Sequence, residues 1–126
     1  PQNVNISVDR VFDFIMLPFS YKHNRSITPE THRIELMLKK FLLDENILNR
    51  KMSEVSVGEK QRLLILQASL LQRPLLLLDE PSASLDKISK SVISNFLFEE
   101  LDHTIISVSH DDHWLKHCNK IIELTK

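Results

Sequence analysis

An α/β fold, with a mostly parallel sheet and a helical subdomain on its N-terminal side, is predicted by three stretches of this sequence. Leu75-Leu76-Leu77-Leu78 is a short apolar run closed by Asp79-Glu80-Pro81, the pattern of a strand buried on both faces. Thr104 to Val108 is rich in β-branched residues and reads as a second central strand. Between and before them lie segments with apolar residues at helical spacing, so strands alternate with helices.

In chain order, Ser7 can cap a helix running from Val8 to about Leu17, with Val8, Val11, Phe12, Ile15 and Met16 recurring at helical spacing and Pro18 ending the pattern. Tyr21 to Ser26 is polar and basic and reads as a loop. Thr28-Pro29-Glu30 reads as a helix start, with a capping hydroxyl, a proline at the first helical position and an acid in the first turn. Ile34, Leu36, Met37, Leu38, Phe41 and Leu42 give that helix a broad apolar face. Asp44 to Leu48 reads as a further short turn or helix.

Ser56-Val57-Gly58-Glu59 is a capping box that opens a helix to about Gln72, broken at Arg73-Pro74. Its unpaired N–H groups and partial positive charge also suit a phosphate. Asp86 can cap a helix from Lys87 to about Leu101, with Ile88, Val92, Ile93, Phe96 and Leu97 inward. A short helix from Asp112 to His117 and a last strand from Ile121 to Leu124 finish the chain.

The chemistry gathers at the strand ends. In open α/β sheets ligands sit at the carboxyl edge of the strands, which is where Asp79 and Glu80 fall. Such a pair offers one oxygen ligand for Mg²⁺ and one group that accepts a proton from water or orients it. Asp-Glu-Pro is also what a solvated surface turn looks like. If the two strands are parallel neighbours, His110 comes near Glu80 at the same edge.

At 126 residues, 42% of them hydrophobic, the chain is at most one domain, with enough apolar content for a core. A net charge of −1 with no basic stripe gives nothing that points to nucleic acid as a partner. Lone Cys118 has no internal disulfide partner, which suits a reducing compartment. No apolar run approaches membrane-spanning length, and no charged-then-apolar leader opens the sequence. The expectation is a soluble, cytoplasmic protein.

Four motifs in order resemble the second half of an ATP-binding cassette (ABC) ATPase: Val55 to Arg62 its signature motif, Leu75 to Pro81 its Walker B strand, Ser82 to Asp86 its D-loop, and Ile105 to Asp111 its switch-histidine segment. The resemblance runs from about residue 2 to the end. It implies a partial P-loop NTPase core, divided into a glutamine loop and helical subdomain (1–54) and a signature helix with the C-terminal half of the ATPase core (55–126). It also implies ATP and Mg²⁺ as ligands. Gln2 would touch Mg²⁺ and the attacking water, and Asp79 would hold Mg²⁺. Glu80 would orient or deprotonate that water, and His110 would hold the γ-phosphate. Ser56, Gly58 and Glu59 would meet ATP bound by an opposite subunit, and Asp86 would communicate across that dimer. Val57 stands where the motif has its first glycine and Glu59 where it has a glutamine.

The family further implies a second ATP-binding subunit and a transmembrane permease as partners, with the protein peripheral on the inner face of the cell membrane. Phe12, Phe14, Phe19 and Tyr21 could line a permease-docking groove or simply fill a small helical core. A phosphate-cradling P-loop needs glycines followed by Lys and Ser or Thr, yet Gly58 is the one glycine here and no Gly-Lys-Ser/Thr occurs. The chain is therefore expected to be a C-terminal portion of a transporter ATP-binding subunit, inactive by itself and self-associating. An ABC ATPase outside transport and a non-catalytic binding module of the same fold are the alternatives.

Overall fold

The computed structural model describes residues 8–125, so Gln2 and the Ser7 cap lie outside the described residues. Two compact units, Pro1–Arg73 and Pro74–Lys126, pack each on its own. The boundary expected at 54/55 separates motifs, whereas the packing boundary falls after the signature helix, where Arg73-Pro74 breaks the chain.

In the first unit, α1 (Val11–Met16) is shorter than expected. Residues before it are held extended: Arg10 bridges Lys51 in antiparallel fashion, Val11 N donates to Arg50 O at 3.0 Å, and Met52 N donates to Asp9 O at 2.9 Å. Arg10 then becomes the cap, its N–H on the Asp13 carboxylate at 3.3 Å. Beyond α1 the chain tightens into a 3₁₀ turn, Leu17–Ser20, which tolerates Pro18 because the N–H that proline lacks would go unpaired in a first turn. The segment read as a loop is a second 3₁₀ helix, Lys22–Ile27.

Helix α2 is Thr31–Lys40, with Glu30 rather than Thr28 at the N-cap position and no side-chain capping bond. The Thr28 hydroxyl is committed elsewhere, donating to Arg25 O at 2.7 Å to close the preceding turn. The apolar face is narrower than the sequence suggested: Ile34, Leu38 and Phe41 are buried at i, i+4 and i+7, while Leu36 and Leu42 are exposed. Asp44 accepts from Asn46 N at 2.8 Å and caps the 3₁₀ helix Glu45–Asn49. Phe19 is buried in this core, and Phe12 and Tyr21 face solvent.

Helix α3 (Val57–Leu70) buries Leu63, Ile65, Leu66, Ser69 and Leu70 along one broad arc, while Leu64 is exposed. It ends with Gln72 in the left-handed region at φ 53°.

The second unit is built on β1 (Leu75–Asp79) and β2 (Thr104–Val108), paired in parallel with Leu77 opposite Ile106 and Asp79 opposite Val108. Helix α4 (Lys87–Asn95) and a π-helical turn, Phe96–Glu100, form the crossover between them. Ile93, Phe96 and Leu97 are buried as expected, but Ile88 is exposed. Trp114, on the short helix α5 (Asp112–Leu115), is fully buried; its indole donates to the Ser107 hydroxyl at 2.9 Å and its ring meets Phe98 edge-on.

One expectation, the last strand, needs correction, whereas the uncovered face of the leucine strand is what a self-associating partial core implies. The leucine strand is not covered on both faces: Leu76 is buried, but Leu75 and Leu77 are exposed, as are Ile106 and Val108 beside them. A strand's alternate side chains need a layer on each side, and the described residues supply one. Ile121 to Leu124 is not a strand, and Ile121, Ile122 and Leu124 are exposed. β propensity does not hold an extended segment in a sheet without a paired edge. Among the described residues, no helix is long and apolar enough to cross a membrane.

Candidate functional site

Parallel pairing brings the ends of β1 and β2 to one edge, and with them Asp79, Glu80, Ser109 and His110. The Glu80 N–H extends the ladder by one bond, donating to Val108 O at 2.8 Å. Glu80 itself turns into the left-handed region at φ 46°, a strained conformation for a residue with a Cβ. Ala83 N donates back to Glu80 O at 3.2 Å and closes the turn. The turn sends the Glu80 side chain toward the second loop, where Oε1 lies 3.5 Å from His110 Nε2. The juxtaposition expected from the two strands is present.

Asp79 is exposed at the strand end, and its carboxylate has no hydrogen bond or ion pair among the described residues. An unengaged carboxylate on a rigid support fits Mg²⁺, which keeps several waters and takes one or two protein oxygens.

The other half of the expected site lies in the first unit. The Ser56 hydroxyl accepts from Glu59 N at 3.2 Å, and Glu59 Oε1 accepts from Ser56 N at 3.0 Å, the reciprocal capping box. Glu59 Oε2 also meets the Arg50 guanidinium at 3.2 Å, and Arg50 donates to Glu54 O at 2.6 Å. The Ser56 backbone N–H, ahead of its hydroxyl and of Arg50, holds the Glu59 carboxyl below its ordinary value. Glu59 is thus occupied with building the helix end. Gly58 sits inside the first turn with no positive φ, so its value there is the missing Cβ rather than conformational freedom. Arg62 donates to Gly58 O at 3.3 Å and to the carbonyls of Phe41 and Leu42, which anchors the end of α3 to the loop after α2. Val57 projects exposed at the mouth of the helix.

Asp86 is engaged as a cap: Oδ1 accepts from Ser89 N at 2.7 Å and Oδ2 from the Ser89 hydroxyl at 3.2 Å. Sequence reasoning passed over the network behind His110. Asp111 Oδ2 accepts from the Ser82 hydroxyl at 2.8 Å and pairs with the Lys90 ammonium at 2.9 Å, while Oδ1 accepts from His113 N at 3.0 Å. Hydrogen bonds from Lys90, then Ser82, lower the Asp111 carboxyl to about 2. An acid directly before a short helix is a capping signal and could have revealed part of this. Its long-range partners leave no local pattern.

Comparison with known proteins places these elements in one family. The family described as ABC transporter matches residues 3–83. The lipoprotein-releasing system ATP-binding protein LolD of Buchnera aphidicola is 31% identical over 134 residues, covering 95% of this chain and 58% of the relative. The "Probable iron export ATP-binding protein FetA" of Escherichia coli is 28% identical over 119 residues, covering 92% of this chain and 52% of the relative. The chain thus spans about half the length of these curated relatives. Among solved structures, a dimeric bacterial ABC transporter cassette superposes with a TM-score of 0.71 at 26% identity, over 93% of this chain and 53% of that one. The same cassette in a dimeric post-hydrolysis state with ADP and Pi gives 0.70 at 26% identity, over the same shares. With a matched family region reaching from residue 3 through the strand-end carboxylates, this chain belongs to the ABC transporter family.

Proposed function

We propose that the chain supplies the signature-helix and strand-end portion of an ABC transporter ATP-binding subunit, which couples ATP binding and hydrolysis to transport through a membrane permease. The observation that carries this reading is the approach of Glu80 to His110 at the carboxyl edge of a parallel strand pair. His110 is almost fully exposed, so the contact is not one that the fold requires of it.

In this reading Asp79 is the ligand, partly through water, for Mg²⁺, which neutralises phosphate charge when bound. Glu80 accepts a proton from the attacking water or orients it, and His110 holds the γ-phosphate and fixes the water's line of approach. Phosphoryl transfer asks for positioning and charge neutralisation more than covalent chemistry, so two residues on adjacent strand ends suffice on this side. Ser56 and Gly58 at the α3 N-terminus present N–H groups to ATP held by a second subunit, with Glu59 fixing the cap. Asp86, committed to α4, shapes the loop that reaches that subunit. Gln2 is assigned to Mg²⁺ and water by resemblance alone.

The glycine loop and its lysine come from outside these 126 residues, so the isolated chain has no steady-state ATPase activity. Transport is supported by LolD, named for a lipoprotein-releasing system, and the dimer by the cassette whose structure is dimeric. Docking on a permease would place the protein on the cytoplasmic face of the membrane.

The test is Glu80→Gln in an ATPase that contains this chain together with its P-loop. ATP binding persists, while hydrolysis falls by about 10²-fold or more. Asp79→Asn instead weakens Mg²⁺-dependent binding. Near-normal turnover in Glu80→Gln would overturn the assignment.

A further inference from the structure

His110 has little to hold it in place. Its side chain is 93% exposed, and its one ion pair among the described residues is the 3.5 Å approach to Glu80. The β1–β2 ladder ends at Val108 O, before His110 is reached. Glu80, in turn, occupies a strained turn that relaxes unless its surroundings over-determine it.

Two ties between the loops bracket His110. One is the backbone bond from Glu80 N to Val108 O; the other is the bond from the Ser82 hydroxyl to Asp111 Oδ2. Glu80 makes the first tie with its own N–H, and His110 lies between Val108 and Asp111, the two tied positions of its loop. The second tie is built to last: Ser82 is buried to 1% exposure, Lys90 pairs with the same carboxylate oxygen, and the Asp111 N–H donates to the Ser109 hydroxyl at 3.0 Å. We propose that Asp111 is a positioning residue that holds His110 against Glu80 by fastening the loop after β2 to the loop after β1 through Ser82.

The competing role for Asp111 is as the cap of α5. That role uses Oδ1 on His113 N and leaves Oδ2 to Ser82 and Lys90. Deleting the Ser82 hydroxyl therefore separates the two roles, because it spares the cap. The geometry of the tie is independent of catalysis, although its purpose rests on the function proposed above.

The experiment follows the Glu80–His110 contact in the 126-residue chain by NMR, as cross-peaks between the imidazole and the Glu80 side chain. Cross-strand β1–β2 peaks and the Trp114 indole signal serve as fold controls. In Ser82→Ala the ratio of formed to open pair falls about fivefold, the ordinary worth of one hydrogen bond, while both controls stay. Ser82→Thr, which keeps the hydroxyl, restores the contact, and Asp111→Asn reproduces its loss. An unchanged Glu80–His110 contact in Ser82→Ala would overturn the proposal. Loss of the fold controls in every variant would overturn it too, since Asp111 would then serve the fold as a whole. Failure here leaves the hydrolytic role of Glu80 untouched, because that role is read from turnover in Glu80→Gln.

Discussion

Glu80 Oε1 lies 3.5 Å from His110 Nε2, and parallel backbone pairing brings the loops that carry them to one edge. The register that sets Asp79 opposite Val108 delivers both loops to one edge, and the left-handed turn at Glu80 swings its side chain across. If His110 fixes the γ-phosphate and the water, His110→Ala lowers kcat of the assembled ATPase by about 10²-fold. KM for ATP changes little, because most phosphate contacts belong to the P-loop. Steady-state kinetics at saturating Mg²⁺ check this, and a change confined to KM would assign His110 to binding.

Acid should loosen the second unit through Asp111. Its carboxyl is lowered from 3.8 to about 2 in the folded chain, first by the Lys90 hydrogen bond and then by Ser82. A lowered carboxyl contributes stability that is fully present above its unfolded value near 4 and is lost as pH falls through about 2. Removing the ammonium in Lys90→Met raises the folded value, so Asp111 contributes less stability above pH 4 and its loss is complete at a higher pH. The acid transition of Trp114 fluorescence should move up by about one pH unit.

The end of α2 carries a different kind of strain. Leu43 N donates to Leu38 O at 2.8 Å and Leu42 N to Lys39 O at 3.1 Å, the two bonds of a Schellman motif, with Leu38 and Leu43 both buried beneath it. The position that ordinarily takes glycine is Leu42, at φ 59° and exposed. Leu42→Gly should therefore stabilise the first unit by up to about 1 kcal/mol, by removing the Cβ clash of the left-handed conformation. Thermal or urea unfolding reads the sign directly. A destabilised variant would mean that the exposed leucine contributes more by contact than it costs in strain.

At the start of α3, Ser56→Ala removes the hydroxyl that accepts from Glu59 N and should cost about 1 kcal/mol. Glu59 retains Arg50 and the Ser56 N–H, so the helix persists and the loss is local. Amide exchange confined to the first turn of α3 would agree; unfolding of the whole unit would not.

Much of this was legible from local sequence. Ser56 and Glu59 are three apart, and a capping box needs only that spacing. Asp86, Asp44 and the leucine strand announce themselves in the same way. The sequence could place Glu80 and His110 together because parallel strands share an edge once they are neighbours. It could not show the Ser82–Asp111–Lys90 network, whose members meet only after α4 has crossed the sheet. It also misjudged positions set by competition: Thr28 would cap α2 if Arg25 O did not take its hydroxyl, and Val8 would be helical if Asp9 and Arg10 were not paired with Met52 and Lys51.

The remaining prediction concerns the uncovered side of the sheet. Leu75 and Leu77 on β1 stand beside Ile106 and Val108 on β2, all exposed, with Leu77 and Ile106 directly paired. The opposite face, with Leu76, is covered, so the exposure belongs to one side and not to a loosely packed strand. Soluble monomers rarely leave contiguous apolar patches above a few hundred Å². Among the described residues the sheet has two strands, each with an edge free to pair with another. The isolated 126-residue chain should therefore self-associate, and its association should strengthen with salt, as apolar contact does and ion pairing does not. Replacing Leu77 with Lys on the exposed face should shift sedimentation toward monomer without disturbing β1–β2 pairing. A wild-type chain that sediments as a monomer at every concentration, with no dye-binding apolar surface, would mean that this face finds its cover within the chain.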